Sequence, residues 1–138
     1  MTPTVAGLLD RARSSDWQDR AEAGRALAPL VDDVAEVRAV VVDLLLDPED
    51  TAVSDSTSRT LLDHGSPVAW RLFAQAWARA QPDLLDHLHA TFVGVRATAA
   101  MAGDPTEETL RARLTALAED ADPSVRSAVR GLLGDPTR

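Results

Sequence analysis

Three histidines, His64, His87 and His89, are the only side chains in this chain that ordinarily change charge near neutral pH, and there is no cysteine. Any acid–base, nucleophilic or metal chemistry would start from them. His87 and His89 stand two apart in a helical pattern, so they point to different sides. Asp83 with His87 at i, i+4, or Asp86 with His89 at i, i+3, offers two ligands, whereas a metal site wants at least three. No Gly-x-Ser-x-Gly elbow, phosphate-binding glycine loop or dinucleotide fingerprint occurs. Asp47-Pro48-Glu49-Asp50 supplies carboxylates, but as an interhelical turn it gives no burial that would tune one as an acid or base. The expectation is therefore no catalytic residue, no metal, no cofactor and no enzyme.

Binding is the other possible use of these residues, and charge bounds it. The net charge is −8, and all 14 basic residues are Arg. Residues 1–65 carry 13 acids against 6 Arg, and residues 66–138 carry 9 against 8. Such a balance counts against nucleic acid, which needs a positive footprint, and permits a basic protein partner. The Ala, Val, Leu, Asp and Arg bias fits the codon usage of a GC-rich genome. Neither a signal peptide nor a membrane span is apparent, and a cytoplasmic location is the default. Trp77 falls on an apolar stripe with Phe73, Trp70 falls at that stripe's edge, and Trp17 opens its helix where a side chain is half exposed.

The elements that would position these residues are all helices, and 138 residues with 45% apolar content fit one domain over 1–138. Thr2-Pro3 starts a first helix running to about Arg13. Asp16 caps a second, Trp17 to about Val31, whose small residues Ala21 and Gly24 imply close approach of a neighbouring helix; Pro29 bends or stops it. Val34–Leu46 is apolar over more than half its circumference and belongs inside. Thr51–Asp63 is rich in Ser and Thr, poor interior helix formers, and is read as a helix from its place in the repeat. Two roles are open for it: a solvated face, or the polar inner wall of a concave surface. His64-Gly65 is a C-cap, and Ser66-Pro67 starts a helix with Ala69, Leu72, Phe73, Ala76 and Trp77 on its buried side. A helix begins at Pro82, and Gly94 marks a place for a bend or split. Thr106–Glu119 and Ser124–Leu133 complete the set, with Gly134 at the last C-cap and Pro136 beyond it.

Parts of this pattern recur. Asp16–Arg20 aligns with Asp50–Ser54 at an offset of 34, and Asp122–Arg126 follows Asp50 by 72. Helix pairs at a period of ~34–47 residues are the signature of an α-solenoid. Leu117–Asp135 resembles the turn and second helix of a HEAT repeat, through Asp122, Pro123, Val125, Arg126, Ala128, Leu132, Leu133 and Gly134. The copy around Asp47, Pro48 and Val53 has Ser54 where that pattern has Arg, and the first copy keeps Arg20, Ala21, Ala23 and Leu27 without the Asp-Pro turn. The tetratricopeptide pattern, the nearest alternative, is missing its Trp, Gly, Tyr and Pro positions.

The resemblance implies an all-α, right-handed α-solenoid of about four HEAT-like hairpins, seven or eight helices, in units 1–31, 32–63, 66–101 and 105–134. Its Asp and Arg are implied to brace the turns. Second helices that line a concave side would present Asp16, Trp17, Asp19, Glu22, Asp50, Asp55 and Arg59, with Arg126 and Arg130 further along. The expected function is a non-enzymatic protein-binding scaffold, of the immunity or antitoxin kind, holding a basic partner. The alternative is a HEAT-like accessory subunit or small enzyme, lyase-type or repair-like. HEAT-like DNA glycosylases use a basic face that this acidic chain lacks.

Overall fold

Helix starts are where this chain's local chemistry is plainest. The computed structural model describes residues 4–133, and among them there are eight α-helices, one 3₁₀ turn and no strand. Thr4, Asp16, Asp50, Ser66 and Asp122 each accept a hydrogen bond from a backbone N–H of the first turn that follows. These caps begin α1 (Val5–Arg11), α2 (Trp17–Leu27), α4 (Thr51–His64), α5 (Pro67–Arg79) and α8 (Pro123–Leu132). The remaining helices are α3 (Val37–Leu45), α6 (Pro82–Ala102) and α7 (Thr106–Leu117), with the 3₁₀ turn Ala28–Leu30 directly after α2. The expected caps at Thr2, Gly134 and Pro136 lie outside the described residues.

Three local expectations are corrected. Helix α3 starts at Val37 rather than Val34, because Arg38 donates to the Val31 and Asp32 carbonyls at 2.7 and 3.2 Å and holds the preceding segment in turns. Helix α6 runs unbroken through Gly94. Trp70, not Trp77, is the fully covered tryptophan at 2% exposure, packed edge-on against Phe73 and Phe92 with ring centroids about 6 Å apart. Trp77 is half-buried between Phe73 and the His89 ring.

The core joins every helix. Leu27, Val41, Leu45, Val53, Leu61, Phe73, Leu88, Phe92, Val125 and Val129 are all but inaccessible to solvent. Helices α2, α4 and α6 pack side by side in sequence, and α3 packs on α5. In the last pair the partners change over: α7 lies against α6, and α8 lies against α5.

Helix α4 sits in the middle of this arrangement, touching α2, α3, α5 and α6, and the reading of its hydroxyl residues as a solvated face is corrected. Ser54, Thr57 and Ser58 are completely buried rather than solvated. Ser54 donates to the Leu45 carbonyl at 2.7 Å, and Ser58 to the Asp55 carbonyl at 3.2 Å, so their hydroxyls carry their own partners inside. Their small volume lets helices approach closely, as the expected crowding at Gly24 illustrates. A Cβ added at Gly24 would lie 2.0 Å from Thr57 Oγ1 and 3.0 Å from Thr57 Cβ. Gly65, at φ +68°, ends α4 in the left-handed conformation that only glycine adopts without strain.

Candidate functional site

Arginine–carboxylate clamps tie the turns together, and they show which charges are already engaged. Arg20 lies four residues after the Asp16 cap, and its Nη1 donates back to the Ser14 carbonyl at 3.0 Å. Arg126 stands in the same register after Asp122, and its Nη1 donates to the Asp120 carbonyl at 2.7 Å. Position 54 holds Ser instead. The acidic turn ahead of α4 is gripped from α2, by Arg20 to Asp47 at 2.9 and 3.3 Å, both side chains buried. Asp47 in turn accepts from the Glu49 and Asp50 N–H groups. Arg71 makes the matching two-pronged contact with Asp120 at 3.0 and 3.3 Å. The Arg71 guanidinium, helped by the Asp122 N–H, holds the Asp120 carboxyl below the usual carboxylate range.

The expected partner-binding residues fall into several settings. Asp16 and Asp50 serve as helix caps. Asp19 and Glu22 are both gripped by Arg11 from α1, and Ser14 also donates to Asp19 at 2.8 Å. The Ser14 hydroxyl and then Arg11 draw the Asp19 carboxyl below its ordinary value. Asp55 reaches His87 on α6 at 3.5 Å, and Arg25 donates to Ser56 at 2.9 Å, so α2, α4 and α6 are linked by polar contacts between partly exposed side chains. Trp17 remains 44% exposed at the start of α2. Of the further pair, Arg126 is spent on its own turn and Arg130 is exposed.

Arg59 belongs to a different setting. It lines a cleft that α4, α5, α6 and α7 enclose, with Arg113 and Trp70 in the same wall. The sequence offered no spacing that would join these residues; Gly94, which also lines the cleft, was legible only as a break in an apolar pattern.

His64 pairs with Asp32 at 2.9 Å, and Ser66 donates to the same carboxylate at 2.7 Å. The Ser66 hydroxyl and then His64 hold Asp32 below its ordinary range. His89 stacks beside Trp77, and neither His87 nor His89 lines the cleft. Among the described residues no group of three or more His, Asp or Glu is arranged to hold a metal ion, and no helix is long and apolar enough to cross a membrane. Comparison with protein-family models, with curated proteins and with solved structures produced no match in any of the three.

Proposed function

We propose that this chain is a protein-binding scaffold without catalytic activity, a short right-handed α-solenoid of HEAT-like hairpins that takes a basic partner on its acidic N-terminal half. The repeat reading is supported by the shared register of Arg20 and Arg126, each closing the turn ahead of its own helix. It is also supported by the serial packing of α2, α4 and α6. The exchanged packing of α7 and α8 departs from a regular stack and makes the last hairpin the least repeat-like.

The observation that carries the binding reading is Trp17. An indole 44% exposed, on a helix whose first turns bear Asp16, Asp19 and Glu22, has the composition of an anchor with a charged rim. Acids of the rim govern association rate and salt dependence, and the aromatic supplies affinity. A basic toxin masked by an immunity-type protein is one partner that would suit such a surface. The lyase-type or repair-like alternative calls for His87 or His89 in a pocket beside buried carboxylates. His87 instead meets the half-exposed Asp55, and His89 meets Trp77.

The test is parallel capture from the source cell with the unaltered chain, with Trp17→Ala, and with Asp19, Glu22 and Asp55 all reversed to Arg. A partner retained by the first and lost by both variants, each verified as folded by circular dichroism, is the expected result. Retention by both variants would remove the acidic half as the binding surface.

A further inference from the structure

A cleft of about 660 Å³ opens where the C-terminal end of α4, the start of α5, the second half of α6 and α7 meet. That volume suits a small molecule rather than a polypeptide. Part of its lining is apolar, from Leu110 and an edge of the otherwise buried Trp70. The charged part is Arg59, Arg113 and Asp63, which leave one net positive charge in a chain of net −8. The one imidazole in the wall, His64, is engaged by Asp32.

Neither guanidinium is used up. Among the described residues, Arg59 and Arg113 have no carboxylate within ion-pair distance, although six other arginine–carboxylate contacts are formed. Arg113 donates only its Nε, to the Gly65 carbonyl at 3.2 Å. That bond anchors the stem of the side chain to the left-handed residue ending α4, and among the described residues neither terminal nitrogen has a hydrogen-bond partner. A planar fork held in this way recognises a planar oxyanion. The cleft has open room as well: a Cβ built on Gly94, which lines it, meets no atom within 4 Å.

We propose that this cleft binds a small amphipathic organic monoanion, its carboxylate against Arg59 and Arg113 and its apolar body against Val95 and Leu110, beside the edge of Trp70. A dianion fits less well, because Asp63 already offsets one of the two cations and a second negative charge would be left unmatched. This site stands apart from the acidic surface around Trp17 and would persist if that surface bound nothing.

The experiment titrates the full chain with 1-naphthoate, its neutral counterpart 1-naphthamide and inorganic phosphate, read by tryptophan fluorescence and calorimetry. Naphthoate is expected to bind with a Kd on the order of 1 mM or tighter. The amide should bind at least about tenfold more weakly, as should Arg59→Gln for naphthoate, since each removes a charge-assisted hydrogen bond. Phosphate should not displace naphthoate. Gly94→Leu replaces a helical glycine where space is open, so it should melt no lower than the parent while losing naphthoate. Arg59 is exposed on α4, so its substitution reports binding even if the leucine variant misfolds. No binding of naphthoate, equal binding of the amide, displacement by phosphate, or undiminished binding by a folded Arg59→Gln or Gly94→Leu would each overturn the proposal.

Discussion

Gly24→Ala looks favourable in isolation, because an alanine in a helix interior is preferred to glycine by about 1 kcal/mol. In this fold it should be harmful. The added methyl would stand 2.0 Å from Thr57 Oγ1, and turning the threonine side chain leaves Thr57 Cβ still only 3.0 Å away. Helices α2 and α4 must then separate along a fully buried seam, and overpacking of that kind costs about 1–3 kcal/mol or more. The net effect expected is a loss of roughly 1–2 kcal/mol after the propensity gain is subtracted. Thr57→Ala should be close to neutral. It forfeits a buried methyl, worth about 1 kcal/mol, but removes a buried hydroxyl that has no hydrogen-bond partner. In the double variant the new methyl occupies the space that Thr57 vacates, so the pair should couple favourably by about 1–3 kcal/mol. Urea unfolding followed by circular dichroism, with all four chains compared at equal slope, measures this directly. Additivity within about 0.5 kcal/mol, or a stabilised Gly24→Ala, would show that the two helices do not meet at this point.

Other substitutions probe the clamps and the turn. Arg20→Ala and Asp47→Ala should each lose about 3–5 kcal/mol, since either leaves one partner of a buried pair alone, and the double variant should lose less than the sum; urea midpoints decide it. Asp120 is depressed in the folded chain, so its contribution is fully present above the unfolded value of about 3.9 and disappears as pH falls through the lower folded value. Asp120→Asn should therefore be less stable at neutral pH and show a shallower decline below about pH 4; parallel stability–pH profiles would contradict the Arg71 contact. Gly65→Ala forces a Cβ into the left-handed region and should cost about 1–2 kcal/mol by thermal or urea melting.

Legibility in the sequence followed the kind of signal each residue carries. Asp16, Asp50, Ser66 and Asp122 announce helix starts by type alone, and four of the eight helices begin behind them. Gly24 could be read as a close approach because small residues on an apolar face have few other uses. Helix α4 misled, because Ser54 and Ser58 count as polar in any pattern, whereas each satisfies its hydroxyl on a main-chain carbonyl and so behaves inside the fold as a small apolar residue. Trp70 and Trp77 lie seven apart and nearly eclipse one another on α5; which is covered depends on Phe92 arriving from α6, and no local spacing records that. The acids around Trp17 were visible as types, but their capture by Arg11 required knowing how α1 folds back on α2. The cleft was invisible for a similar reason, since Arg113 and Gly65 are 48 residues apart.

The central position of α4 bears on how the molecule comes apart. Its hydroxyl-bearing residues give it little tendency to coil alone, yet it packs against four other helices and the 3₁₀ turn. A row of helices usually frays from its ends inward, each terminal member leaving the rest intact. Here the member least able to stand unaided is the keystone, so stripping either flank should release the middle as well, and the described residues should melt in a single step with no half-length survivor.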